Sequence, residues 1–198
     1  MNMIKKLVIL GCFMLLISGC KDAFTIKNKE VNLLSGKYNV EMNIKKYGKV
    51  TLELDADVAP ITVTNFINLV NNGFYDGNKI HRISKDFVIQ AGAGDGDTIK
   101  GEFMANGVEN DISHVRGVIS MARAGDATSG YDTASTQFFI VVKDSLELDN
   151  YYAGFGKVTK GMDVIDKLNK LKIETDAMGS ILNDADMPVI EYIKVIEK

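Results

Sequence analysis

The chain has 198 residues, 46% hydrophobic and 25% charged, with a formal net charge of −3. That composition excludes a disordered polypeptide, and the length suits one domain of moderate size. The mild acidity also argues against a nucleic-acid partner, which calls for a clustered basic face.

The first twenty residues, MNMIKKLVILGCFMLLISGC, stand apart from the rest. Lys5 and Lys6 precede an apolar run from Leu7 to Ile17, and the small residues Ser18 and Gly19 lead to Cys20. Positive, apolar, then small is the order of a secretory signal, and the run is shorter than the roughly 20 residues of a membrane-spanning helix. The chain is therefore expected to be exported. The stretch ISGC resembles the lipobox of bacterial lipoproteins, which implies lipidation of Cys20 and an extracytoplasmic protein anchored to the bacterial cell membrane. Residues 1–19 are read as the signal peptide, 20–36 as a polar tether of mixed charge, and 37–198 as the domain. Cleavage before Cys20 removes Lys5, Lys6 and the only other cysteine, Cys12, leaving 21 basic against 26 acidic side chains and a net charge of −5. A domain without cysteine holds together with no disulfide.

Within the domain, YNVEMNI and KVTLELD alternate with period 2 around KKYG, which predicts a β-hairpin with Val40, Met42, Ile44, Val50, Leu52 and Leu54 on one face. APITVTNFINLVNNG follows. Val63, Phe66, Ile67 and Val70 recur at helical spacing, Pro60 suits the first turn and Gly73 the residue past the end. KIHRISKDFVIQAG reads as two short strands around Ser84, Lys85 and Asp86, and GVISMA and QFFIVV as further strands. QFFIVV is so continuously apolar that it belongs deep in a sheet. GMDVIDKLNKL predicts a second helix with Val164, Ile165, Leu168 and Leu171 on one face, and PVIEYIKVIE a final strand. Many strands and two helices without regular alternation point to a mainly β protein, a closed or nearly closed antiparallel barrel with helices over its ends.

Several chemical signals are weak. Asp95 and Asp97 in GAGDGDTIKG have the spacing of a Ca²⁺ loop, but the remaining ligand positions are missing. His81 and His114 are the only histidines and belong to no metal-ligand pattern, so no metal and no cofactor is expected. Ser120, Ser135 and Ser145 lack the context of a catalytic nucleophile. What stands out is Arg82, with Gln90, threaded through two otherwise apolar strands. A guanidinium cannot shed its charge, and its five donors all need partners.

At KIHRISKDFVIQ, together with GVISMARAG and STQFFIVV, the chain resembles the cyclophilin family of peptidyl-prolyl cis-trans isomerases. DVAPITVTNFINLVNNGFYDGNKIHRI, NDISHVRGVISMA and LDNYYAGFGKV extend the similarity in the family's order from about Tyr38 to the C-terminus. The resemblance implies a closed eight-stranded antiparallel barrel capped by two helices, an isomerase acting non-covalently on X-Pro bonds, and a monomer whose partners are proline-containing polypeptides.

By that resemblance Arg82 matches the catalytic arginine, and Gln90 the glutamine that holds it beside a substrate carbonyl. Phe87, Val88, Phe139 and Leu148 match the apolar wall that receives the proline ring, with Val88 where many relatives carry Met. Met121, Ala122 and Arg123 match the edge that meets the peptide backbone, and Gln137 a neighbouring polar contact. Tyr152 occupies the place of a frequent active-site histidine and Glu147 that of a tryptophan, while the loop in AGDATSGYDTASTQFF is longer than the common form. These departures keep a second reading open, a proline-peptide binding or chaperone module with little catalysis.

Overall fold

The computed structural model describes residues 23–26, 29–125 and 130–197. The signal read at residues 1–19, Cys12 and the lipidation site Cys20 lie outside them. Among the described residues no helix is long and apolar enough to cross a membrane.

Strands β1 (Ala23–Ile26) and β2 (Lys29–Asn32) pair with each other, apart from the main sheet. They fall in the segment read as a tether. The chain is fastened to the domain shortly after them, because Leu34 N donates to Thr64 Oγ1 at 2.9 Å and Gly36 N to Asp57 Oδ1 at 2.7 Å.

The main sheet has eight antiparallel strands: β3 (Lys37–Ile44), β4 (Gly48–Asp55), β5 (Ile80–Ser84), β6 (Val88–Ala91), β7 (Val118–Met121), β8 (Phe138–Val141), β9 (Gly154–Lys160) and β10 (Ile190–Glu197). Their order is β10-β3-β4-β9-β7-β8-β6-β5. The β3–β4 hairpin follows its alternation, with Val40, Met42, Ile44, Val50, Leu52 and Leu54 all buried and Lys46 taking a left-handed φ of 69° in the turn.

Helix α1 (Pro60–Asn71) packs against β10 and β4, and α2 (Met162–Asn169) against β4, β5 and β6. Pro60 opens α1 without a donor to leave unpaired. The N–H groups of Ile61 and Thr62 instead find the Glu102 carboxylate at 2.9 and 2.7 Å, so a buried acid from a distant loop satisfies the helix start. Burial pushes the Glu102 pKa up, and the amides it accepts from hold it partly down.

The sheet is an open, curled half-barrel and not the closed barrel the sequence leads one to expect. No ladder joins β5 to β10, although Lys79 and Val189 form an isolated bridge where the two approach. The outer edge of β5 is occupied instead by the segment before β10: Ile83 N donates to Gly179 O at 2.8 Å and Ile181 N to His81 O at 2.9 Å. Those bonds use the groups a closing strand would need.

Two apolar clusters lie on opposite faces of the central strands. Inside, Phe66 meets the rings of Tyr75, Phe155 and Phe138 at 5.1, 5.3 and 5.5 Å in the main core. Outside, Val88, Val118, Phe139, Val141 and Leu148 form a smaller cluster flanked by Phe87, Ile112, Ala122 and Tyr152. Strand β8 is apolar throughout because it feeds both: Phe138 and Ile140 point inward, Phe139 and Val141 outward.

Candidate active site

The β5–β6 hairpin sets the site. Ile83 pairs with Ile89 and both enter the core, so their neighbours Arg82 and Gln90, also paired, face outward. A register shift between Ile80 and Arg82 lets Ile80 and Ile83 both turn inward on the same short strand. Asp86 takes a left-handed φ of 56° in the turn, where Asn169 of α2 accepts from its N–H at 3.0 Å and donates to its carboxylate at 2.9 Å.

Arg82 is held on two sides. Its Nε donates to Met178 O at 2.8 Å and its Nη1 to Gln90 Oε1 at 3.0 Å. Gln90 Nε2 in turn donates to Gln137 Oε1 at 2.9 Å, so a chain of amides fixes the guanidinium's direction. The Arg82 Cζ lies 5.9 Å from the centre of the Phe87 ring. Burial pulls the Arg82 pKa down from its ordinary value, opposed by Tyr152 and Asp176, and the group remains a cation.

Beside it opens a groove of about 270 Å³. Arg82, Gln90, Phe87, Val88, Ala122, Arg123, Phe139, Leu148 and Tyr152 all line it. Phe139 is its floor, with the Tyr152 ring edge-on at 5.7 Å and 82°. Leu148 arrives from a short 3-10 turn (Leu146–Leu148) and Ala122 from the end of β7. Gln137 lines an adjoining groove of about 330 Å³ that shares Gln90, Ala122 and Arg123 with the first. Glu147 is exposed and outside the lining of both.

Met121 corrects one expectation. It is 1% exposed and packs in the main core, lining neither groove. Because Ala122 turns to the outer face, strand alternation sends Met121 inward, and its side chain cannot reach a bound peptide.

Sequence reasoning missed two features. Met178, 66% exposed, lines the groove beside Arg82 and supplies the carbonyl that Arg82 Nε needs. Asp176 and Gly179 around it were legible as turn formers, and Asp176 Oδ1 does accept from Met178 N and Ser180 N, both at 2.8 Å. Where that turn docks was not legible. The second is a buried relay behind the floor: His114 Nδ1 lies 2.8 Å from Asp149 Oδ1, His114 Nε2 lies 2.9 Å from Ser120 Oγ, and the imidazole stacks on Phe139 at 6.1 Å and 24°. Burial lowers the His114 pKa despite Asp149, so the ring is neutral at pH 7. His114 and Ser120 are both fully buried, so this constellation supports the groove and offers no nucleophile to a substrate.

An eight-stranded half-barrel with two helices and an apolar groove edged by a tethered arginine defines a cyclophilin-like protein. The chain belongs to the cyclophilin family, since the family model for "Cyclophilin type peptidyl-prolyl cis-trans isomerase/CLD" matches residues 39–191. It is 39% identical over 160 residues to peptidyl-prolyl cis-trans isomerase A of Dickeya dadantii, covering 76% of this chain and 81% of that one. With the isomerase cyp18 of Streptomyces antibioticus it shares 36% identity, over 79% of this chain and 98% of that one. Its fold matches a Cryptosporidium parvum cyclophilin type isomerase with a TM-score of 0.69 at 24% identity, over 82% of this chain and 99% of that one. A second structure of that protein, obtained in the presence of the dipeptide Ala-Pro, matches with a TM-score of 0.68. The protein is accordingly an enzyme of the isomerase class, a peptidyl-prolyl cis-trans isomerase.

Proposed function

We propose that this protein speeds rotation about X-Pro bonds in exported polypeptides without covalent chemistry, and that Arg82 stabilises the amide as it twists. The observation that carries the reading is a permanently charged guanidinium, fixed by Met178 O and Gln90, at the lip of an apolar groove of about 270 Å³. The Ala-Pro dipeptide used with the Cryptosporidium parvum relative supports proline as the group that enters such a groove.

The rotation barrier of about 18–20 kcal/mol arises from amide resonance. Twisting removes that conjugation and returns a lone pair to the proline nitrogen, which becomes a better acceptor than it was in the planar amide. A donor already aimed at that nitrogen gains interaction only as the bond turns, which is the condition for lowering a barrier. Val88, Phe139 and Leu148 hold the ring while the preceding carbonyl swings past Gln90. A gain of about 7 kcal/mol corresponds to roughly 10⁵-fold acceleration. No proton moves and no group in the groove serves as a nucleophile.

The order of residues 1–20 supports export, and Cys20 within ISGC supports a lipid that keeps the domain at the outer face of the cell membrane. Fatty-acid labelling of cells producing the protein is expected to mark it and to be lost in Cys20→Ser; undiminished labelling of that variant removes the anchor from the reading.

Arg82→Ala is expected to lower kcat/KM on a short X-Pro peptide by about 10²–10³-fold, the usual cost of one transition-state donor. A protease-free cis/trans exchange assay on the full chain reads this. Equal rates for both forms remove Arg82 from the chemistry, and rates for both no faster than uncatalysed exchange, with peptide affinity intact, favour a proline-binding module.

A further inference from the structure

The groove carries a second fixed cation. Arg123 lines both the groove of about 270 Å³ and its neighbour of about 330 Å³, so it stands on the ridge between them. Its Nε donates to Tyr151 O at 2.8 Å and its Nη1 to Ala124 O at 2.9 Å. Three rings pack around it, with Cζ at 4.9 Å from the Tyr152 centroid, 5.2 Å from Tyr131 and 5.4 Å from Phe103. Main-chain carbonyls and ring faces fix the group without neutralising it.

No carboxylate among the described residues forms an ion pair with Arg123. Arg116 shows the contrast, gripping Asp166 with bonds of 2.8 and 2.9 Å. Among the described residues, neither groove is lined by an acidic side chain. Two acids on the loops beside them are committed elsewhere: Asp132 accepts from Gly101 N and Asn106 Nδ2, and Asp176 from Met178 N and Ser180 N. A chain of net charge −3 thus presents, around its proline groove and among the described residues, two guanidiniums and no acid in the lining. A planar fork with free N–H groups at the edge of a half-dry groove matches one kind of ligand group best, a carboxylate.

We infer that Arg123 is a specificity residue that selects clients carrying an aspartate or glutamate within two residues of the target proline. This rests on the isomerase reading of the same groove. The reach follows from position: Arg123 borders the groove that takes the ring and the one beside it, so the side chain it meets belongs to a near neighbour of the proline in sequence. The overall negative charge works against acidic peptides at long range, which makes the preference local and sensitive to salt.

The test uses the full chain and a set of proline peptides in which Glu or Gln stands at each of the two positions on either side of the proline. Both exchange rates and dissociation constants are measured. At one position the wild type is expected to favour Glu over Gln by about three- to tenfold in kcat/KM, the scale of a partly exposed charge pair. Arg123→Met abolishes that ratio and Arg123→Lys keeps part of it. Raising the salt from about 0.05 to 0.5 M shrinks it in the wild type, a readout independent of how well either variant folds. A Glu-to-Gln ratio of one at all four positions, with isomerisation intact, overturns the inference and leaves the isomerase reading standing. Absence of isomerisation with a salt-sensitive affinity for Glu peptides overturns the isomerase reading and leaves the charge selection standing.

Discussion

The inner core and the outer cluster are built from the same strands with the same kinds of side chain, yet they do different work. Phe138 and Phe139 are neighbours on β8, 2% and 4% exposed respectively. Phe138 meets Phe66 and Tyr75 edge-on in a closed core, whereas Phe139 has a groove on one side and the neutral imidazole of His114 on the other. Burial alone therefore does not separate a phenylalanine enclosed by the core from one that lines a groove. What separates them is whether the atoms on the far side of the ring belong to the protein or are left for a ligand.

Breaking each side of that comparison gives different losses. Phe138→Ala opens a cavity that helix, sheet and neighbouring rings cannot close, and is expected to cost about 3–5 kcal/mol in urea unfolding. Peptide affinity per folded molecule stays near wild type. Phe139→Ala is expected to cost less, about 2–3 kcal/mol, because the groove lets Tyr152 and water move in. Its kcat/KM falls by more than about tenfold. A larger stability loss for Phe139 than for Phe138, with activity preserved, reverses the roles assigned to the two rings.

A smaller effect sharpens the support behind the floor. The His114 pKa is lowered in the folded protein, so the folded state binds fewer protons than the unfolded chain as pH falls through the ordinary histidine value of 6.5. Its contribution is fully present above that value and is lost on acidification below it. His81, also lowered by burial, acts in the same direction. Glu102, raised by burial, acts in the opposite one from its ordinary value of 4.5 upward. The urea midpoint is thus expected to fall between about pH 7.5 and 5.5, and to fall less in His114→Gln. An unchanged pH slope in that variant shows that the relay carries no linked proton.

Much of the fold was legible because local pattern and tertiary burial agree. Alternation in the β3–β4 hairpin, helical spacing in α1 and the turn at Asp86 each describe a short stretch whose neighbours in sequence are its neighbours in space. The open edge was not legible, because it depends on Gly179–Ile181 reaching β5 across about a hundred residues of chain. Within the site, Arg82 and Gln90 stood out as polar residues in apolar strands. Phe139 looked like core until the family resemblance gave it a role, and the geometry shows why: it is core on one face only. Met121 was misread by taking three consecutive residues as one edge, although strand geometry sends alternate side chains to opposite faces. Met178 carried no signal, since its part is played by a backbone carbonyl, which every residue has.

The covered edge of β5 also decides how the molecule meets other chains. An exposed outer strand would offer a row of free amides to any extended client and so seed an intermolecular ladder. With Gly179 and Ile181 already bonded there, an extended chain finds no template on that flank of the molecule. A sheet finished this way leaves that flank without a place where another strand can add.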